Sequence, residues 1–203
     1  VIDTGIDTGH PDRPQNLVRG ADYIVDPTGN TLVSGDPQGH GTHVAGIVAA
    51  NMNNGAGVAG IAPGVTVMAV RVLDSTGSGD TFTTAKGMIY AVDRGAKVIN
   101  LSLSGTTRDP WEETAINYAY GKGVMVVAAA GNCYQGAADP SCDYTNNPVS
   151  YPAALDHVVA VAATDMNDGH AYYSETGSYV DLAAPGNTIL SSCIASTYCY
   201  KTG

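Results

Sequence analysis

Short apolar runs alternate along this chain with segments whose apolar residues recur at helical spacing. The runs occupy residues 1–3, 67–73, 97–103, 124–130 and 158–164. Uninterrupted apolar runs of this length are typical of strands that are buried on both faces, as in a parallel sheet. Strands that alternate with helices over short links predict an α/β fold, namely a doubly wound, mostly parallel sheet with helices on both faces.

Two of the segments between the runs have their apolar residues on one stripe of a helix. The first stripe consists of Ala85, Met88, Ile89 and Val92, and the second of Trp111, Ala115, Tyr118 and Ala119. A glycine follows each segment, where helices commonly end. No repeat, low-complexity tract or linker interrupts the alternation, so we expect a single domain over residues 1–203.

Composition argues against several classes of partner. The chain has 203 residues, a formal net charge of −10 and only 14% charged residues. An acidic surface disfavours binding to nucleic acid or to an anionic membrane. No apolar run approaches the ~18 residues that a bilayer-spanning helix needs. We therefore expect neither a nucleic-acid partner nor a membrane partner. We also expect the protein to be a monomer.

Four cysteines lie in two close pairs, both in loop-like sequence. They are Cys133, Cys142, Cys193 and Cys199, and none has the C-x-x-C spacing of a zinc ribbon or a thioredoxin-like site. This spacing favours two short disulfides, Cys133–Cys142 and Cys193–Cys199, over a metal site. Disulfides in turn indicate an oxidising compartment.

Three polar side chains lie where sheets of this kind bind ligands, beyond the carboxyl ends of the strands. Asp3 ends the first run, and His40 opens a helix-like segment. Asn132 comes after the run at 124–130, from which one glycine separates it. A buried aspartate beside an imidazole fixes its tautomer, and a side-chain amide can stabilise an oxyanion. The structural alternative for Asp3 and Asn132 is a role as ordinary turn residues.

The stretch "GHGTHVAG" contains two histidines, His40 and His43, three residues apart. A zinc-binding H-E-x-x-H helix has its histidines four residues apart, with a glutamate between them. The observed spacing therefore argues against zinc. We interpret His43 as a helix histidine with its hydrogen bonds satisfied, whereas the glycines on both sides of His40 leave room for a substrate backbone.

In their order along the chain, "VIDTGIDTGHPD", "GHGTHVAG", "VINLSLSG" and "VVAAAGN" resemble the subtilisin-like serine protease (subtilase) family. The resemblance spans essentially the whole chain. It implies a subtilisin-like fold and a secreted serine endopeptidase without an organic cofactor. It also implies that Asp3 and His40 belong to a Ser-His-Asp triad, with His40 as general base and Asn132 as the oxyanion donor.

The resemblance further implies a cleft in which a polypeptide substrate binds as an added strand between two backbone edges. The edges would be formed by Gly77, Ser78 and Gly79 and by Ser102, Leu103, Ser104 and Gly105. The wall of the primary pocket would include Ala129, Ala130 and Gly131. Such small residues leave a roomy pocket, so we expect a large apolar or aromatic residue at the cleavage site.

Calcium is the cofactor that the resemblance implies, with the loop "NMNNGAGVAG" wrapped around the ion. The ligands would be the side chains of Asp12 and Asn54 and the carbonyls of Met52, Ala56 and Val58. Oxygen ligands suit this hard cation, although an ordinary Asn-Gly loop is the structural alternative. A second calcium site is implied at Asp181, with carbonyls near Asp156 and Val158.

One element of the family pattern is missing. The family's nucleophile lies in a G-T-S-M motif that opens a helix, and this chain ends at "KTG", with Gly203 matching the glycine of the motif. We therefore expect a catalytic domain truncated at both ends, lacking an N-terminal segment and the serine-bearing helix, and inactive as it stands. Two alternatives remain open: a non-catalytic, peptide-binding subtilase relative, and a metal-binding or structural domain.

Overall fold

The computed structural model of this chain describes residues 1–18, 20–24, 35–134, 142 and 147–203. The strands are β1 (Ile2–Asp3), β2 (Asn16–Val18), β3 (Thr66–Met68), β4 (Val70–Arg71), β5 (Val98–Leu101), β6 (Met125–Ala129), β7 (Val158–Thr164), β8 (Leu182–Pro185), β9 (Ile189–Cys193) and β10 (Thr197–Lys201). The helices are α1 (His40–Ala49), α2 (Thr81–Asp93) and α3 (Pro110–Gly121). None of these described helices is long and apolar enough to cross a bilayer.

Six strands form one sheet in the order β4-β1-β5-β6-β7-β8, and every neighbouring pair is parallel. This sheet confirms the predicted α/β fold. The apolar run at 67–73 is divided, because β3 pairs with β2 in a separate two-stranded sheet while β4 joins the main sheet. The sequence patterns did not predict β2, β8 or the antiparallel pair of β9 and β10.

Successive strands join the main sheet first on one side of β1 and then on its other side. Of the two strands that flank β1, β4 comes first in the sequence, and β5 follows on the opposite side. Ligands of open α/β sheets bind in the crevice that such a reversal leaves at the carboxyl ends of the strands. Asp3 is the last residue of β1 and is 1% exposed, so a buried acid lies at this crevice.

The core lies between the main sheet and the helices α2 and α3. Met88 of α2 and Ile116 of α3 are fully buried in one cluster with Ile2, Ile99 and Leu101 of the central strands. Each side chain of this kind contributes about 1.5–3 kcal/mol through burial. The cluster thereby fixes the two helices against the strands whose ends form the crevice.

The predicted apolar stripes of α2 and α3 are wrong at three positions. Ile89, Trp111 and Tyr118 are 37%, 56% and 36% exposed, respectively. The two helices turn mostly small residues inward, which lets them lie close to the sheet. The buried positions are Thr84, Ala85, Gly87, Met88, Ala91 and Val92 in α2, and Glu112, Ala115, Ile116 and Ala119 in α3.

Strands β9 and β10 form an antiparallel hairpin that contacts α1. The His43 ring nitrogen Nε2 in α1 lies 3.0 Å from the carbonyl oxygen of Ile189 and 3.2 Å from that of Cys199. In return, the Ser191 hydroxyl donates to the carbonyl of His43 over 2.8 Å. These hydrogen bonds attach the hairpin to the helix that begins at His40.

Both predicted disulfides are confirmed, since Cys133 is bonded to Cys142 and Cys193 to Cys199. The described residues contain no free cysteine. The second bond joins β9 to β10 and so closes the hairpin that rests on α1.

Removal of the hairpin disulfide with Cys193→Ala and Cys199→Ala is expected to destabilise the protein. The bond closes a loop with a sequence separation of 6, and the chain-entropy model assigns about 2–3 kcal/mol to a loop of this length. Urea denaturation should show a loss of that order in the free energy of unfolding, with Cys133–Cys142 intact in both proteins. An unchanged urea midpoint would contradict this expectation.

Candidate active site

A carboxylate and an imidazole form the centre of the site. The His40 atom Nδ1 lies 2.8 Å from Asp3 Oδ1 and 2.9 Å from Asp3 Oδ2. Since an ionised carboxylate only accepts hydrogen bonds, Nδ1 carries a proton and Nε2 of the neutral ring is left as an acceptor. The N–H of Thr4 also donates to Asp3 Oδ1, over 2.7 Å. The arrangement fixes both the ring orientation and the tautomer of His40.

The contact between Asp3 and His40 requires a glycine directly after the histidine. Helix α1 begins so close to the turn after β1 that a Cβ at Gly41 would overlap the carbonyl oxygen of Gly5. The same Cβ would lie 3.2 Å from Asp3 Cβ. A larger residue at this position would therefore push α1 away from β1 and separate the carboxylate from the imidazole.

A second buried aspartate, Asp36, fixes the start of α1, and the sequence analysis did not identify it. Its Oδ1 accepts from the N–H of Gly39 and the hydroxyl of Thr4, both over 2.7 Å. Its Oδ2 accepts from the N–H of Thr42 over 2.8 Å and from the Thr42 hydroxyl over 2.7 Å. Burial opposes ionisation, but these hydrogen bonds outweigh it and lower the pKa of Asp36. The carboxylate thus joins the turn after β1 to helix α1.

The environment of His40 makes its imidazole more basic. Burial by itself lowers the pKa of His40, but the hydrogen bond and the charge of Asp3 outweigh burial and raise that pKa above its ordinary value of 6.5. The charge of Asp36 acts in the same direction, whereas Lys201 opposes it. With its side chain 34% exposed, His40 is both accessible and able to stabilise the charge that it gains on accepting a proton.

His43 has a different environment, consistent with a structural role. It is 3% exposed, and burial lowers its pKa despite its hydrogen bonds to the carbonyls of Ile189 and Cys199. The neutral ring therefore donates from Nε2 to the β9–β10 hairpin. Across the part of the chain that the structure describes, no three His, Cys, Asp or Glu residues are grouped so that they could hold a metal ion, and the zinc interpretation of the two histidines has no support there.

His40, Asn132 and Gly203 line one cavity of 520 Å³. The Asn132 side chain approaches Gly203, with Nδ2 3.2 Å from the place where a Cβ of that glycine would stand. Gly203 is held by its N–H, which donates to the carbonyl of Gly186 over 3.0 Å. The fold thus brings an imidazole, an amide and the last residue of the chain around a shared space.

The predicted substrate residues lie around neighbouring cavities. A cavity of 620 Å³ also reaches His40, and its lining includes all the predicted edge residues, Gly77, Ser78, Gly79, Ser102, Leu103, Ser104 and Gly105. A smaller cavity of 210 Å³ is lined by the predicted pocket residues Ala129, Ala130 and Gly131 and by Asn132. The predicted residues are therefore grouped by the fold, although they come from three segments of the chain.

A buried glutamate, Glu175, fixes the backbone around the predicted oxyanion donor. Its Oε1 accepts from the N–H of Cys133 over 3.1 Å, and its Oε2 accepts from the hydroxyls of Ser150, over 2.6 Å, and Tyr179, over 3.3 Å. Its own N–H donates to the carbonyl of Gly131 over 3.0 Å. The residues on both sides of the amide donor are therefore bound to one side chain that is 1% exposed.

The packing against Glu175 also explains the glycine before the amide donor. Gly131 has a φ of 108°, and a Cβ there would overlap the carboxyl group of Glu175 and the hydroxyl of Ser150. The Tyr179 hydroxyl also lies 3.1 Å from the carbonyl of Ala130, so its single proton is shared between that oxygen and Glu175 Oε2. Burial, assisted by the charge of Glu175, raises the pKa of Tyr179 to about 12, so its hydroxyl remains a donor.

The two missed carboxylates differ in how far the sequence could have identified them. Asp36 lies three residues before Gly39, the N-cap of α1, and accepts from the N–H groups of Gly39 and Thr42, three and six residues later. Two of its partners are therefore close to it in the sequence. The partners of Glu175 at Cys133 and Ser150 are 42 and 25 residues away in the sequence. No local pattern reports contacts of that range.

The predicted first calcium site has a completely buried carboxylate, Asp12. Its Oδ1 accepts from the side-chain amide of Asn54 over 2.9 Å, and its Oδ2 accepts from the N–H of Val58 over 2.8 Å. Met52 and Ala56 belong to the same exposed loop. No cationic side chain forms an ion pair with Asp12 among the described residues, so an acid without a compensating charge lies beside a loop rich in oxygen donors, which fits a hard cation.

The predicted second calcium site shows no comparable arrangement. Asp181 is exposed; its Oδ2 accepts from the N–H of Ala160 over 2.9 Å, while its own N–H donates to the Ala160 carbonyl over 3.0 Å. This exchange extends the pairing of β7 with β8. Within the described ranges no hydrogen bond links Asp181 to Asp156 or Val158.

Comparison with known proteins identifies close relatives. A family model described as the Subtilase family matches residues 1–203. Thermitase from Thermoactinomyces vulgaris is 44% identical over 203 residues, which are 100% of this chain and 67% of thermitase. A thermophilic serine proteinase from Bacillus sp. (strain AK1) is also 44% identical, over 100% of this chain and 47% of that relative. The solved structure of the S41 psychrophilic protease matches with a TM-score of 0.86 and 33% identity, covering 100% of this chain and 70% of that one.

The lengths of these relatives differ from that of the present chain. Its 203 residues span about half of the Bacillus proteinase and about two thirds of thermitase. The match therefore concerns the domain described above, and the remaining length of each relative has no counterpart in these residues.

The substitution Glu175→Ala is expected to lower the free energy of unfolding by about 2–4 kcal/mol. It removes the acceptor for three donors, two of which belong to the buried Ser150 and the backbone of Cys133, and buried donors without partners are costly. Thermal or urea denaturation measures the loss. Glu113→Ala is the matched control, because Glu113 is exposed and surface changes usually stay within about 0.5 kcal/mol. Equal losses in the two variants would contradict a supporting role for Glu175.

Proposed function

The chain belongs to the subtilase family of serine proteases, and from this premise we propose that Asp3, His40 and Asn132 are the catalytic groups of an endopeptidase. The reaction is hydrolysis of a peptide bond through an acyl intermediate on a serine. The observation that carries the proposal is the shared cavity. His40 and Asn132 come from distant segments of the chain, and both line this cavity together with Gly203.

The nucleophile is assigned to a serine two residues after Gly203, the position that the G-T-S-M motif of the family gives it. Gly203 lines the same cavity as His40, so a helix that starts there would begin beside the imidazole. Within the described residues no hydroxyl forms a hydrogen bond with His40 Nε2. The 203 residues alone thus supply the base and the oxyanion donor without the attacking group.

His40 acts as general base in the proposed mechanism. Its Nε2 takes the proton of the serine hydroxyl as the oxygen attacks the scissile carbonyl, and it later gives that proton to the leaving amine. Asp3 stays ionised and stabilises the imidazolium through the contacts of 2.8 and 2.9 Å to Nδ1. The hydrogen bonds that Asp36 accepts from Thr4, Gly39 and Thr42 keep His40 at the carboxyl end of β1.

Asn132 stabilises the oxyanion that develops when the carbonyl is attacked. The amide Nδ2 donates to the negative oxygen, and such a donor is most effective when it is already in place. Glu175 supplies this preorganisation, because it holds the backbone of Gly131 and Cys133 on both sides of the amide.

The substrate is a polypeptide that binds in extended form along the predicted edges. Gly77, Gly79 and Gly105 have no side chain to obstruct a backbone, so main-chain hydrogen bonds supply affinity for many sequences. The small residues Ala129 and Ala130 leave the 210 Å³ cavity open to a large apolar or aromatic side chain next to the cleaved bond. The enzyme is proposed to act as a monomer.

The two disulfides support secretion, because such bonds persist in oxidising compartments. Calcium is proposed as a structural ion at Asp12, with Asn54 and the carbonyls of Met52, Ala56 and Val58 as further ligands. The charge of the ion would compensate the carboxylate of Asp12, which is completely buried. Its role is stability of the loop, and no catalytic step passes through it.

The proposed mechanism predicts that the 203-residue chain does not hydrolyse peptides, whereas a protein extended beyond Gly203 does. The assay uses a peptide with a large apolar residue before the scissile bond, together with a serine-directed phosphonylating reagent. The extended protein should cleave the peptide, react with the reagent and lose most of its activity in His40→Ala. Its kcat/KM should rise with pH through a pKa above 6.5, since His40 accepts a proton only when neutral and Asp3 raises its pKa.

His43→Gln is the control for this experiment, because His43 lies in the same helix but hydrogen-bonds to the hairpin. It should retain activity under conditions where the variant is folded. Cleavage by the 203-residue chain would refute the assignment of the nucleophile. A folded, extended protein without activity would instead favour a non-catalytic, peptide-binding relative.

Chelation of calcium is expected to lower the melting temperature of the protein, and Asp12→Asn is expected to reduce that response. A ligand that binds only the folded state adds RT ln(1 + [L]/Kd), about 2.7 kcal/mol at a hundredfold excess over Kd. Differential scanning calorimetry with and without a chelator measures the shift. Asp181→Asn serves as the comparison, because a response lost there and kept in Asp12→Asn would move the ion to the second site. No shift in the unsubstituted protein would remove calcium from the proposal.

A further inference from the structure

An acid that takes no part in the proposed mechanism lines the cavity that reaches His40. Glu112 lies in the first turn of α3 and is only 4% exposed. It contributes to the wall of the 620 Å³ cavity together with the predicted edges of the substrate cleft. A substrate bound along those edges therefore passes a buried carboxyl group.

Within the described residues Glu112 has no hydrogen-bond partner and no ion-pair partner. Its neighbour Glu113 is paired with Arg108 over 2.8 Å. Glu112 is also three residues after Asp109, where a glutamate commonly accepts a hydrogen bond from the backbone at the helix start. Here Asp109 accepts from the N–H of Trp111, and Glu112 does not complete that arrangement, so its carboxyl group is left unpartnered in the cavity wall.

The rest of this cavity wall mixes polar residues with apolar ones such as Leu73 and Leu103. Thr81 and Thr84 of α2 and Asp80, the N-cap of α2, line it beside Glu112. No lysine or arginine lines this cavity in the part of the chain that is described. Both carboxylate oxygens of Asp80 already accept from Thr83, and the Thr84 hydroxyl donates to the Asp80 carbonyl. The unpartnered acid in this wall is therefore Glu112, which matches a cation that also donates hydrogen bonds.

We propose that Glu112 forms a subsite that binds a cationic side chain, lysine or arginine, of the polypeptide substrate. The subsite is separate from the 210 Å³ pocket for the large apolar residue, because Ser102 is the only described residue that lines both cavities. This assignment rests on the proposed peptidase function and adds a second selectivity to it.

The energetics of Glu112 favour such a ligand. Burial, followed by the charge of Asp109, raises the pKa of Glu112 to about 7, so the free site is partly protonated near neutral pH. An ammonium or guanidinium group in the cavity stabilises the ionised form and lowers that pKa again. Binding of the cation is therefore coupled to release of a proton, and the preference for a basic residue should grow as the pH rises from 6 to 8.

Other titratable groups near Glu112 do not imitate this response. Around the start of α3 these groups are Asp109 and the Glu113–Arg108 pair, and Asp80 is the N-cap of α2. The remaining cavity wall contributes His40 and Tyr151. Among them His40 takes part in the cleavage of every peptide, so its protonation affects all substrates alike. A ratio of two substrates at one pH cancels its contribution.

The test uses the full-length enzyme and pairs of peptides that differ only in lysine or norleucine at one position. That position is moved stepwise on both sides of a bond preceded by a fixed large apolar residue. We expect one position at which lysine is favoured about tenfold in kcat/KM, as for a charge that pairs in a desolvated site. Glu112→Gln should abolish this ratio, and Glu113→Gln, on the same helix but exposed, should keep it.

Two further readouts keep the result decisive. If Glu112→Gln does not fold, the lysine-to-norleucine ratio of the unsubstituted enzyme is followed from pH 6 to pH 8, where a constant ratio overturns the subsite. If no peptide is cleaved, the same peptides are measured for binding by fluorescence anisotropy. A lysine preference in Kd that depends on Glu112 supports the subsite and refutes the peptidase function, whereas equal Kd values overturn the subsite. Cleavage with no position at which Glu112→Gln changes the ratio overturns the subsite alone.

Discussion

The contact between the Asp3 carboxylate and the His40 imidazole is the constraint on which the architecture of the site depends. A carboxylate that is 1% exposed is costly unless it is paired and hydrogen-bonded, so the first residue of α1 has to reach the end of β1. Three features make this approach possible: the reversal of the sheet at β1, the missing side chain of Gly41 and the hydrogen bonds that Asp36 accepts from both segments. All three features involve only backbone or short polar side chains, so no large side chain fills the cavity beside His40.

The parts of this arrangement that could be predicted from the sequence are those with a local or periodic signal. The central strands β5, β6 and β7 coincide with apolar runs in the sequence. The motifs around Asp3, His40 and Asn132 predicted the family that the comparisons confirm. By contrast, β8 has only the four residues Leu182–Pro185 and ends in a proline. A short run of this kind does not predict a strand, because alanine and proline are depleted in strands. The positions of Ile89 and Trp111 show the limit of helical periodicity, because an apolar residue at the right spacing can still face solvent when smaller residues pack closer to the sheet.

The hydrogen bonds that position the site are beyond the reach of a single sequence for a different reason. Glu175 binds Cys133 and Ser150 across separations of 42 and 25 residues, and only the folded chain brings them together. A glutamate that ends up buried looks the same in the sequence as one that stays in solvent. The close approach of Glu175 to Gly131 is equally invisible, since it depends on the left-handed backbone at that glycine and on the packing of two distant loops.

Glu112 and Glu175 are both buried glutamates, and their different surroundings imply different roles. Glu175 has a donor for each of its oxygens, so its carboxyl group is satisfied by hydrogen bonds within the protein and stabilises one conformation of the backbone around Asn132. Glu112 has no such donors among the described residues and lines an open cavity, so its charge can be balanced only from outside. A pocket with small apolar walls discriminates weakly, because an extra or missing methylene changes binding by only about 1–3 kcal/mol. An unpaired buried acid discriminates more strongly, because an uncharged side chain in its place leaves the carboxylate without a partner. The same fold can thus combine tolerance next to the cleaved bond with selectivity at Glu112.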